Sequence, residues 1–264
     1  MSLIFLYLAL GAVAGVLAGL LGIGGGLVIV PMLTFVFTGQ GFVHDHILHL
    51  ALGTSLASIL FTSLSSVRSH HKRGGVVWPV VLKITPGILV GTFVGAWIAS
   101  QLSTNFLKGF FGVFLLYVGT QMLLGIKPKS NREIPGAPGM FGAGGVIGIF
   151  SSLVGIGGGT LSVPFLVWHN TAMRNAIGTS AAIGFPIAVA GTMGYLVNGW
   201  GVADLPPYSL GYIQGTALAG IVAASVCTAP LGAKLAHTLP VDKLKRIFAL
   251  LLYVVAMRMI WSVF

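Results

Sequence analysis

The chain has 264 residues, a formal charge of +10, 56% hydrophobic and only 7% charged residues, and a mean hydropathy of +0.99. Soluble domains run near ~25% charged, so a water-facing exterior could not be made from this composition and the natural solvent is a bilayer. The apolar stretches are continuous over ~20 residues, which excludes the alternating strands of an outer-membrane barrel. The positive charge then reflects Lys- and Arg-rich loops, not a nucleic-acid partner.

Eight apolar segments follow in order, at about 3–37, 47–67, 76–99, 106–126, 141–168, 176–197, 210–235 and 244–263. Helices are expected throughout, because in lipid the backbone must satisfy its own hydrogen bonds. The first segment lacks the basic start and polar follow-on of a cleaved signal, so it reads as part of the mature fold. The first and fifth segments are unusually long and carry glycine runs near their middles: Gly22-Ile23-Gly24-Gly25-Gly26 and Gly155-Ile156-Gly157-Gly158-Gly159, each followed five residues on by a proline, Pro31 or Pro164. Consecutive glycines cost a helix about 1 kcal/mol each relative to Ala, so each run marks a break with a new helix beginning after it. Cys227 sits alone in an apolar stretch and reads as packing.

The two halves resemble each other. GLLGIGGGLVIVPMLTF from Gly19 matches SLVGIGGGTLSVPFLVW from Ser152, ALGTS from Ala51 matches AIGTS from Ala176, and the stretch from Gly95 parallels the one from Gly232. Three blocks in one order define an internal repeat, a frequent plan among transporters. Residues 1–126 and 140–264 are the two expected transmembrane repeats, and the Pro-, Gly- and charge-rich residues 127–139 a cytoplasmic linker.

Basic loops at 68–73 and 127–132 should face the cytoplasm. In the second half, the basic clusters lie after different segments of the repeat, as they would if the halves were inverted. Inversion needs an odd number of crossings per half. A hairpin at each glycine-rich segment plus three spans satisfies that parity, and so would five crossings.

The four acidic residues, Asp45, Glu133, Asp204 and Asp242, all fall in loops or at segment ends. A cation carrier would need carboxylates within the membrane to offset its cargo, so an anion or a neutral solute fits better. New helices starting after the two glycine runs would present unpaired N–H groups and the positive end of the dipole. Brought together by inverted symmetry, two such ends could hold an anion without Lys or Arg. Gly22, Gly24, Gly25, Gly26, Gly155, Gly157, Gly158 and Gly159 are therefore candidate substrate-binding residues, the alternative being close helix packing of the kind expected at Gly11, Gly15 and Gly19. Duplication at matching positions favours binding.

Thr54 and Ser55, repeated as Thr179 and Ser180, add hydroxyls near the start of a span, either for substrate or for capping and back-bonding. Lys83, several residues inside the third segment, is either a snorkelling interfacial residue or a pathway cation. His44, Asp45, His46 and His49 match no specific metal signature and read as an exposed polar loop. His70 and His71 are expected among lipid headgroups. No catalytic grouping, metal or cofactor is indicated.

The repeated GIGGG…P blocks, the A-x-G-T-S blocks and the closing G-A-x-x-A…L pattern resemble the TauE/SafE (TSUP) family of sulfite exporters over nearly the whole chain. The resemblance implies a multi-pass transporter of small sulfur-containing anions (sulfite, sulfoacetate or other sulfonates, thiosulfate) in a prokaryotic plasma (inner) membrane. It also implies that the glycine blocks are binding elements. The expected partners are the anion and the lipid bilayer, with no nucleic acid. A non-transporting accessory subunit or an intramembrane enzyme is the competing class.

Overall fold

The computed structural model describes residues 2–21, 25–124, 133–235 and 241–263. The chain forms α1 (Ser2–Leu21), α2 (Gly26–Gly39), α3 (His44–Lys72), α4 (Trp78–Ser100), α5 (Thr104–Leu124), α6 (Ala137–Val154), α7 (Gly159–Trp168) and α8 (Met173–Asn198). A short antiparallel pair, β1 (Ser209–Leu210) and β2 (Ile213–Gln214), precedes α9 (Gly215–Leu235) and α10 (Val241–Trp261). Among the described residues, seven helices are long and apolar enough to cross a membrane, and large apolar side chains such as Phe93, Trp97, Val113 and Val254 point outward from the bundle. The fold is an all-α integral membrane architecture.

Each long glycine-rich segment is split as expected. In the first half the two legs fold back on each other, because Gln40, just past α2, donates from Nε2 to the Tyr7 hydroxyl near the start of α1 at 2.9 Å. In the second half Leu161 and Phe165 of α7 line one apolar groove with Gly142, Val146 and Phe150 of α6. The returning legs have 14 and 10 residues, roughly 21 and 15 Å of helix, against a hydrocarbon thickness of about 30 Å. Each hairpin therefore makes no net crossing, and α3–α5 and α8–α10 provide three spans apiece.

The halves run in opposite directions. A side chain at Gly53, early in α3, would meet Tyr195 near the end of α8, whereas one at Gly178, early in α8, would meet Gly75 just beyond α3. These two equivalent helices are thus antiparallel at the centre of the molecule. Around them, helices exchange partners between halves. α1 lies along α9 and α4 lies along α6. A Cβ at Gly11, Gly15 or Gly19 would sit 2.3, 2.2 or 2.0 Å from atoms of α9, and one at Gly87, Gly91 or Gly95 would sit 2.0, 2.1 or 2.1 Å from α6. Small residues every fourth position let two helices approach at backbone distance, where dispersion replaces the hydrophobic drive that lipid does not supply.

Several sequence-level boundaries change. α3 begins at His44 and ends at Lys72, so both the histidine-rich stretch and most of the basic stretch are helical instead of loop. His49 is buried, its two ring nitrogens 3.1 and 3.0 Å from the carbonyls of Asp45 and Ala99. His70 does not face lipid headgroups: it is buried, and its Nε2–H donates to the Gly19 carbonyl at 3.2 Å. Apolar neighbours read along the chain could not reveal that these polar residues meet backbone acceptors from other helices. Cys227 is exposed on α9, not packed inside.

Candidate functional site

The two glycine motifs meet. A Cβ placed on Gly26 would lie 2.2 Å from the Gly155 carbonyl and 2.9 Å from Cα of Ile156, and Ser55 of α3 donates to the same carbonyl at 2.7 Å. The returning helices start from matching backbone: Gly25 has φ 80° and ψ −9°, Gly158 φ 78° and ψ −11°. Both lie in the left-handed region, where any residue but glycine is strained. Neither helix has a side-chain cap, so the first amides of α2 and α7 are left to other partners. With the dipoles of both return helices beginning near the centre, the potential there is positive without a fixed charge.

Hydroxyls surround this meeting point. Ser162 of α7 donates to the Gly158 carbonyl at 2.8 Å and pairs with Ser180 at 2.9 Å. Ser66, Ser151 and Thr160 are buried with hydroxyls that find no partner among the described residues. An unsatisfied buried polar group costs about 1–3 kcal/mol, and such groups gather where a ligand or water completes them. A cavity of ≈ 10 Å³ lies between Ala18, Ile59, Ser63, Ser66, Gly157 and Gly184. That is about the room one water requires.

The repeated Gly-Thr pairs do something the sequence did not disclose. Thr54 accepts from the Gln214 amide and Thr179 from the Val77 amide, both at 2.9 Å. A Cβ on Gly53 would lie 2.2 Å from the Tyr212 carbonyl, and one on Gly178 2.3 Å from the Gly75 carbonyl. In each half the glycine admits a carbonyl from the other half and the threonine caps an amide two residues later. The segments so docked lead directly into α9 and α4.

The family model for "Sulfite exporter TauE/SafE" matches residues 7–259. The chain belongs to the TauE/SafE family. A "Probable membrane transporter protein" of Haemophilus influenzae is 40% identical, the match covering 98% of each chain. A relative of the same description from Methanocaldococcus jannaschii, MJ0441, is 31% identical over 79% of this chain and 77% of its own. The Bacillus subtilis "Probable membrane transporter protein YunE" is 29% identical over 86% and 89%. No solved structure matches. Membership makes this a multi-pass membrane transporter, not an enzyme.

Of the residues expected at a TauE/SafE substrate site, the structure gathers Gly26, Ser55, Gly155, Gly157, Gly158, Gly159 and Ser180 about the helix breaks, with Gly25 capping α2. Gly22 and Gly24 lie outside the described residues. Thr54 and Thr179 stand at the docking points just described. They lie about three turns into α3 and two into α8, not at helix starts. Lys83 is exposed on α4 and joins none of these groups. Sequence reading missed Ser63, Ser66, Ser151 and Thr160. Their signal was present, since Ser151 and Thr160 flank the second glycine run and Ser63 and Ser66 interrupt an otherwise apolar span.

Proposed function

We propose that this TauE/SafE protein is a secondary transporter of small sulfur-containing anions such as sulfite and short sulfonates, and that the anion is held between the two glycine-rich helix breaks. The observation that carries the reading is the contact of Gly26 with Gly155 and Ile156. It sets the uncapped start of α2 against the glycine break that leads into α7. Backbone amides there, with the spare hydroxyls of Ser66, Ser151 and Thr160, offer donors only to a species that accepts. Charge-assisted hydrogen bonds contribute about 1.5–3 kcal/mol each, enough for several to offset part of the dehydration of an oxyanion. Described carboxylates all lie at helix ends or in loops, so a bare cation would find the positive dipole ends unopposed.

In a carrier cycle the hairpins would move to admit the anion from either side. Liposomes containing only this protein should take up labelled sulfite in counterflow, with small sulfonates competing and neutral analogues not. No flux above empty liposomes for any sulfur oxyanion would remove this reading and leave the family membership standing.

A further inference from the structure

The end of the bundle opposite the basic stretch at 68–73 holds a cation that the central site does not use. Lys108, one turn into α5, is 4% exposed. Its ammonium has three donors and gives one, to Nε2 of His44 at 3.2 Å. The other imidazole nitrogen faces a carboxylate oxygen of Asp45 at 3.8 Å, and that Asp side chain is 87% exposed. Among the described residues no carboxylate lies within ion-pair distance of Lys108 itself. A buried ammonium with spare donors and no counter-charge is costly unless an anion completes it.

A second observation points to the same ligand. His44 is the first residue of α3, whose N-cap Val43 offers no side-chain hydrogen bond. The 29-residue helix therefore directs its free amides and positive dipole end to the place where Lys108 sits. Thr104 fixes this corner by donating to the Asp45 carbonyl at 2.7 Å, and His49 holds it to the end of α4 through Ala99. The sequence repeat that pairs Gly95 with Gly232 also pairs Leu107-Lys108 with Leu244-Lys245, so a lysine recurs at the equivalent point of the second half.

We propose that Lys108, His44 and the uncapped first turn of α3 form an oxyanion-binding site, separate from the helix breaks, that captures the transported anion at this face. It lies 11 residues of α3 from Ser55, roughly 17 Å along the helix. His44 Nε2 accepts from the ammonium, which has three donors in all. The capture role rests on the anion-carrier reading above, whereas the ligand chemistry does not.

Two measurements on the full chain in zwitterionic bilayers test it. In counterflow, Lys108→Gln should raise the apparent KM for sulfite presented at the His44 face by about tenfold or more, leave the KM at the opposite face unchanged, and be rescued by Lys108→Arg. Equal KM values for Lys108→Gln and wild type at both faces would overturn the capture role. Independently of flux, acylation of Lys108 by acetic anhydride, followed by mass spectrometry, should be slowed severalfold by sulfate or sulfite and not by gluconate at equal ionic strength. Lack of protection by any oxyanion overturns the site, even if transport occurs at the helix breaks. In a second set of bilayers to which phosphatidylglycerol is added, protection by that lipid but not by soluble oxyanions assigns the site to a lipid phosphate and also overturns capture. Protection by sulfate in a protein that carries no sulfite retains the site and removes the sulfite reading alone.

Discussion

His70 and Tyr195 stand at equivalent places in α3 and α8, 19 and 19 residues beyond Ala51 and Ala176 of the repeated block, and perform the same task with different chemistry. The His70 imidazole donates to the Gly19 carbonyl at 3.2 Å, and the Tyr195 hydroxyl to the Ser152 carbonyl at 2.9 Å. Gly19 and Ser152 themselves open the two matching glycine blocks. Each bond ties the first leg of a hairpin to the long central helix just before the break. Tyr195→Phe should therefore lower stability by about 1–2 kcal/mol, read as an earlier unfolding midpoint in detergent. His70→Phe should do the same. A Tyr195→Phe protein as stable as wild type would show that the hairpin is held by packing alone.

Substitution at the breaks should separate conformation from simple crowding. Gly25→Leu and Gly158→Leu force a side chain onto φ near +80°, and Gly158 would also meet Ile187 at 2.4 Å. Transport should be lost in both. Gly142, which has open space where a Cβ would project, is the fitting control, and Gly142→Leu should retain transport. Gly15 is a poor one, because its Cβ would press on the backbone of α9 and the change should compromise folding. Comparable transport in Gly158→Leu and Gly142→Leu would strip the breaks of any special part.

Thr54→Val and Thr179→Val each orphan a backbone amide, that of Gln214 or Val77. The expected cost is about 1–3 kcal/mol each, and serine at either position should restore most of it. Thermal unfolding of the four variants measures this directly. Unchanged stability in both valine variants would mean that the cross-half ties do not form in the membrane.

Topology is open to chemical labelling. After Cys227→Ala removes the exposed native thiol, cysteines at Asn131 and at Trp200 should react from opposite sides of intact cells. Reaction from the same side would contradict the single net crossing, by α8, that separates them.

The membrane class, the repeat, the helix breaks and the inversion were all legible in the residues, because each follows from a strong local signal: apolar run length, block recurrence, glycine density and the placement of Lys and Arg. The functions of individual polar groups were not. Thr54, His70 and Tyr195 meet partners 160, 51 and 43 residues away, and nothing in the nearby sequence distinguishes a hydroxyl that faces a ligand from one that caps another helix. The histidine-rich stretch misled for a related reason. Polar residues next to a glycine-rich turn look solvated, yet His49 and Lys108 are drawn inside by carbonyl and imidazole acceptors from neighbouring helices.

The exchange of helices between halves has a consequence for biosynthesis. Among the described residues the glycine stripe of α1 is completed by α9, and the docking point made by Thr54 receives Gln214. When the first half leaves the ribosome, its most closely fitted surface still faces lipid and stays so until nearly the whole chain has been translated. The nascent first half is therefore an unfinished mould, and insertion of the last three helices is the step at which the protein acquires its native stability.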